Sequence, residues 1–185
     1  LSGEIPDLDE ITGMPYREIY DHLDAHYETT VSKAEFVQLY DETAETVYRE
    51  RVELLDSFQE IREAAREAGV PVGLVSSSPP DWMGYVLERF GLEFDLVLSD
   101  DDVPGPGKPE PHIYEAAAER LEMAPENCVA VEDSRNGSLA AERAGMTVVG
   151  YRVQHNAETD LSACDVVCAG SDELREELLS RLDGV

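Results

Sequence analysis

Three short stretches hold side chains whose types and spacing could do chemistry. In Gly73-Leu74-Val75-Ser76-Ser77-Ser78 an apolar run ends in three hydroxyls. Hydroxyls and successive backbone N–H groups just past a strand can cradle a phosphate. The same serines could instead start a helix, with Ser78 as N-cap and Pro79 in the first helical position. In Gly107-Lys108-Pro109-Glu110-Pro111 a lysine is held between residues that fix the backbone and open a helix. A point cation there could offset phosphate charge, or it could simply occupy a turn. In Cys128-Val129-Ala130-Val131-Glu132-Asp133-Ser134 four apolar residues stop at two adjacent carboxylates. Two acids so close are costly unless a cation or a proton compensates them. Oxygen ligands with no nearby His or Cys suit Mg²⁺. An exposed acidic loop is the alternative. Ser76 and Lys108 lie 32 residues apart and Lys108 and Asp133 lie 25 apart, each about one strand-and-helix unit. A hydroxyl, a cation and a metal-binding carboxylate brought to one crevice make a phosphoryl-transfer site.

Those residues need a frame that collects strand ends. The pattern predicts helices over Ser57–Ala68, Pro79–Phe90, Pro111–Leu121, Arg135–Ala144 and Asp172–Leu182. Between them come short apolar strands at Val72–Val75, Phe94–Leu98, Cys128–Val131, Val148–Tyr151 and Val166–Val167. Helices alternating with buried-type strands imply an α/β fold with a doubly wound parallel sheet. In such sheets ligands bind beyond the carboxyl ends of the strands. Ser134 is placed to cap the helix that follows the carboxylates, and Gly145 to end it. Residues 1–54 read differently. Tyr16–Tyr27 and a segment after Ser32 both show helical periodicity, the second opened by a Ser32/Glu35 capping box. No strand separates them, so this region reads as a helical cap and linker above a core formed by residues 55–185.

Composition narrows the function. The 185 residues carry a formal net charge of −27, with acidic residues spread along the whole chain. A field of that sign repels nucleic acid and anionic membranes, and no apolar run reaches membrane-spanning length. There are only two lysines, Lys33 and Lys108, against twelve arginines. Dispersed acidity with scarce lysine points to a salt-adapted, halophilic cytoplasm. Cys128, Cys164 and Cys168 cannot all pair with one another, which suits a reducing compartment. Cys164 and Cys168 flank an apolar run with no His close by and are not expected to hold a metal.

The constellation resembles the haloacid dehalogenase-like hydrolase superfamily, in the subfamily with a small helical cap that includes phosphoglycolate phosphatases and β-phosphoglucomutase. Ser76 matches the family's second motif, Lys108 its third and Glu132-Asp133 its fourth. Glu-Asp-Ser-x-x-Gly followed by Ala144-Gly145-Met146 is typical of the subfamily. The resemblance implies a Rossmann-like core and hydrolysis of small phosphorylated metabolites through a phosphoaspartate, with Mg²⁺ as cofactor. Ser76 and Ser77 would bind the phosphoryl oxygens, and Lys108 would offset charge on nucleophile and phosphate. Asp133 would ligate the metal, with Glu132 as a further ligand or support. A phosphomutase would run on the same chemistry with a sugar hydroxyl in place of water. Arg17, after Gly13-Met14-Pro15-Tyr16, resembles a cap residue that meets the substrate's distal group, unless it pairs with Asp21. Asp81 and Trp82 could also line the pocket. A monomer is expected.

The family's first motif, an apolar strand ending Asp-x-Asp-Gly, is absent from the sequence. Asp7-Leu8-Asp9 is followed by Glu10-Ile11 instead of Gly and a small residue. The expectation is a chain that starts after the nucleophile, with the first core strand missing and the strands ending at Ser76 and Glu132 left unjoined. Such a piece would be inactive by itself, or a non-catalytic relative that keeps the fold.

Overall fold

Four of the five described strands form where a short run rich in β-branched or leucine residues follows a helix, and the last follows a loop with a 3-10 turn. The computed structural model describes residue 11, residue 14 and residues 16–184, with residues 16 and 17 described by their backbone alone. Its strands are β1 (Gly73–Ser76), β2 (Leu96–Ser99), β3 (Val129–Glu132), β4 (Thr147–Arg152) and β5 (Val166–Ala169). The helices are α1 (Tyr16–His26), α2 (Lys33–Thr46), α3 (Phe58–Glu67), α4 (Pro80–Phe90), α5 (His112–Arg120), α6 (Arg135–Arg143) and α7 (Ser171–Leu182). Among the described residues no helix is long and apolar enough to cross a membrane.

All strand pairings are parallel. β1 pairs with β2, and β3, β4 and β5 form a three-stranded sheet in that order. Register sets Ser76 beside Ser99 and Glu132 beside Gly150, so the chemical residues cluster at carboxyl ends. Adjacent residues in a strand point to opposite faces. Val148 accordingly joins a core with Leu98, Ile113 and Ala140, under α5 and α6. Val149 joins a second core with Cys168 and Leu174, under α7. Both faces carry helices, which makes the α/β core doubly wound as expected.

No ladder joins β1 to β3 among the described residues. Val129 and Val131 of β3 remain 44% exposed although apolar, on the same face as the buried Val149. Direct pairing of the two strands, which would close the sheet, is therefore not found. Asp7 and Asp9 lie outside the described residues.

The helical region before the core builds its own cluster from Ile19, Leu23, Ala44 and Trp82. Ser32 caps α2 through a hydrogen bond from the Glu35 N–H, and the Glu35 side chain accepts from the Ser32 N–H, completing the capping box. A π-helical turn, Val47–Arg51, continues α2 and packs on α4.

Candidate active site

Glu132 is the last residue of β3, and its carboxylate turns inward. Its Oε1 accepts from Lys108 Nζ at 2.6 Å and from the Tyr114 hydroxyl, and its Oε2 accepts from Ser134 Oγ at 3.2 Å. Lys108 also lies 4.9 Å from the centre of the Tyr114 ring. Burial alone would drive Lys108 towards its neutral form, but Glu132 and Tyr114, through charge and hydrogen bonds together, outweigh it and hold the ammonium above its usual range. Burial likewise raises the Glu132 carboxyl, and Lys108 together with the Tyr114 and Ser134 hydroxyls overcomes that and leaves it below the usual value. Ser134 Oγ in turn accepts from the Gly137 N–H at 3.0 Å, the expected cap of α6. Gly137 has no side chain for a physical reason: a Cβ there would overlap the Glu132 carboxylate.

Glu132 was expected as a metal ligand or its support. Both of its oxygens accept donors within the protein, where it anchors Lys108. Asp133, the next residue, points the other way and is exposed towards the cleft. Its carboxyl sits above its ordinary value, first because protein mass around it excludes water and second because of Glu132's charge. Asn156 fixes the backbone here. Its Nδ2 donates to the Asp133 carbonyl at 2.9 Å and to the Tyr151 carbonyl at 2.8 Å, while its Oδ1 accepts from the Val153 N–H at 2.7 Å.

The serine loop completes the floor. Ser76 Oγ accepts from the Ser78 N–H at 3.1 Å, which leaves its own proton free to donate outward. Ser77 Oγ donates to Asp100 Oδ2 at 2.5 Å, and Ser99 Oγ donates to the Ser78 carbonyl at 2.8 Å. Burial raises the Asp100 carboxyl, against the opposing effects of Ser77 and Lys108. Ser78 does not cap the helix. Pro79 holds the N-cap position, and the Ser78 hydroxyl instead bonds the Tyr48 hydroxyl of the cap at 2.6 Å.

Ser76, Ser77, Ser78, Lys108, Glu132 and Asp133 all line one cavity of about 760 Å³. Its roof is apolar and comes from the helical cap and Trp82. Trp82 thus both packs and lines the cavity, while Asp81 is not among the lining residues. The Arg17 side chain lies outside the described residues. Its expected partner Asp21 accepts from Lys33 at 2.6 Å.

Tyr114, Asn156 and Tyr48 were not foreseen. Tyr114 sits six residues after Lys108, and Asn156 lies 23 residues after Asp133. Neither spacing marks a contact without the sheet between them. Asp133 offers a carboxylate to the cavity, an oxygen ligand of the kind a hard cation takes. Among the described residues no group of three His, Cys, Asp or Glu gathers as a ready metal cage.

The sequence matches the haloacid dehalogenase-like hydrolase family over residues 4–145. It is 32% identical over 176 residues to validoxylamine A 7′-phosphate phosphatase of Streptomyces hygroscopicus subsp. limoneus, a match covering 91% of this chain and 78% of that one. It is 31% identical over 158 residues to phosphoglycolate phosphatase of Escherichia coli (strain K12), covering 83% of this chain and 61% of that one. Against such curated relatives the chain spans between 40% and 78% of their lengths. A crystal structure of a HAD family hydrolase from Deinococcus radiodurans R1, with bound phosphate and sodium, shares the fold with a TM-score of 0.68. It is 28% identical, and the superposition covers 96% of this chain and 82% of that chain. A match over most of the chain, on the fold and strand-end floor described above, places this protein in the haloacid dehalogenase-like hydrolase family, in its branch with a small helical cap.

Proposed function

We propose that this protein acts on monophosphate esters of small metabolites and releases inorganic phosphate. One observation carries the reading: the Ser76 hydroxyl, the Lys108 ammonium and the Asp133 carboxylate open onto the floor of the same cavity. Ser76 and the N–H groups of the serine loop hold the phosphoryl oxygens. Lys108 has three donors, of which Glu132 takes one at 2.6 Å and the Tyr114 hydroxyl a second at 3.4 Å, so one N–H remains for the phosphate. Glu132 and Tyr114 keep that ammonium charged and fixed. Asp133 is the residue that would hold Mg²⁺, and the ion when bound supplies positive charge where the transferring group is most negative. The relatives named as phosphatases and the phosphate-bearing Deinococcus structure support the same chemistry. The attacking group in this reading is the family's first-motif aspartate, forming a phosphoaspartate that water then hydrolyses. The 185 residues do not contain that motif in its Asp-x-Asp-Gly form. The helices before Leu55 act as the cap that closes over the ester.

The test has two arms. Phosphate release by the complete gene product is measured over a panel of monoesters with and without Mg²⁺. Inorganic phosphate binding is measured by calorimetry on the protein and on its Lys108→Met variant. Metal-dependent release, and phosphate binding weakened at least tenfold in the variant, are the expected results. No release from any ester together with no phosphate binding would sink the proposal.

A further inference from the structure

The cavity is divided by chemistry. Below lie the serine loop, Lys108 and Asp133. Above lie Phe36, Leu39 and Tyr40 of α2 together with Val47, Tyr48 and Trp82. Tyr40 stacks on Trp82 with ring centres 5.7 Å apart and planes 12° apart, and Tyr48 meets Trp82 at 5.6 Å. Leu39 and Tyr40 keep 57% and 37% of their surface exposed, so this aromatic and aliphatic wall has area left to cover. Lys108 is the one cation among the described lining residues, and its charge is already matched by Glu132. Of the three other basic side chains described on α2 or the π-turn that continues it, Arg51 is exposed and is not among the cavity-lining residues, and two are occupied elsewhere. Lys33 pairs with Asp21, and Arg49 pairs with Glu45 and lies 3.8 Å from the centre of the Tyr85 ring.

We propose that this cavity selects monoesters whose alcohol is an uncharged ring and disfavours those with a second anionic group; this rests on the phosphate-site reading above. A flat apolar alcohol would lie against Tyr40 and Leu39 while its phosphate reaches Ser76 and Lys108. Apolar surface leaving water and ring-on-ring contact both favour that pose. A carboxylate or second phosphate laid against this apolar wall would be desolvated there at a cost. The field of a chain with net charge −27 adds to that penalty. A cavity of about 760 Å³ is in the usual range for sites that enclose a ring-bearing ligand as well as its phosphate.

Calorimetry with inorganic phosphate, phenyl phosphate and phosphoglycolate, in molar KCl, tests the assignment. Phenyl phosphate is expected to bind about tenfold tighter than phosphoglycolate, the equivalent of about 1.4 kcal/mol. In Tyr40→Ala the ratio of phenyl phosphate affinity to inorganic phosphate affinity should fall at least threefold. Phosphoglycolate binding as tightly as phenyl phosphate, or a ratio unmoved by Tyr40→Ala, overturns the ring preference while leaving the phosphate floor intact. Failure of all three ligands to bind overturns both readings together.

Discussion

Lys108 Nζ lies 2.6 Å from Oε1 of Glu132, and neither side chain is more than 7% exposed. The two residues are 24 positions apart and come from a loop and a strand end. Their contact converts two costly buried charges into one neutral, hydrogen-bonded unit on the cavity floor.

Breaking that unit from one side strands a buried charge. Lys108→Met is expected to destabilise the protein by about 3–5 kcal/mol, and Lys108→Met with Glu132→Leu to recover much of the loss. Denaturant titration of the two variants decides it, and a double variant no more stable than the single one contradicts the account. The pH dependence has a defined sign. Glu132's carboxyl is lowered on folding, so its contribution is full above the ordinary value of 4.5 and fades as pH falls through the folded value. Lys108 is raised, so its contribution is full below the ordinary 10.5 and fades only as pH rises through the folded value. The stability difference between wild type and the double variant should therefore be flat between those limits.

Gly137→Ala should be far more harmful than an alanine in a first helical turn ordinarily is. The added Cβ meets the Glu132 carboxylate, which must then leave Lys108 or push α6 off the sheet. A loss of roughly 3 kcal/mol is expected, the upper range for overpacking. Thermal melts would show it, and a variant within about 0.5 kcal/mol of wild type would mean that Glu132 is not seated as described.

Asp133→Asn separates folding from chemistry. Its carboxyl is raised in the folded protein by its surroundings and by Glu132, so the ionised form is disfavoured there. Stability contributed at this position falls as pH rises through the window between the unfolded and folded values. The neutral Asn escapes that effect, so the variant's melting temperature without metal should equal or exceed that of wild type at neutral pH. Mg²⁺-dependent phosphate release by the complete gene product should drop at least about a hundredfold, since a metal carboxylate is worth several kcal/mol of transition-state stabilisation. Activity within threefold of wild type would refute the assignment.

Salt should stabilise the protein. Forty-one acidic residues face fourteen basic ones, and self-repulsion weakens as the screening length shrinks to about 3 Å at 1 M. Each 1 kcal/mol of relieved repulsion raises the melting temperature of a chain this size by roughly 2–4 °C. Differential scanning fluorimetry from low to molar KCl should show a steady rise. A steady fall would contradict the halophilic reading of the composition.

Local signals in the sequence determined the frame. Apolar runs closed by Ser76 and Glu132, the Ser32/Glu35 box and the Ser134 cap are decided within a few residues, by side-chain oxygens satisfying nearby N–H groups and by strand-forming side chains. Boundaries moved by only a residue or two, as with β1, which ends at Ser76 instead of Val75. Tertiary structure decided which neighbour does what. Glu132 and Asp133 are adjacent carboxylates, and nothing local in the sequence says which one is buried. At the end of an extended strand they part, one buried on Lys108 and Tyr114 and the other exposed, although both border the cavity. Ser78 looked like a helix cap, but a tyrosine 30 residues earlier claims its hydroxyl once the cap folds over the sheet. Pairings of that kind depend on how α2 and α5 pack against strands far away in sequence. No periodicity or local propensity contains that information, because it exists only after the layers are assembled.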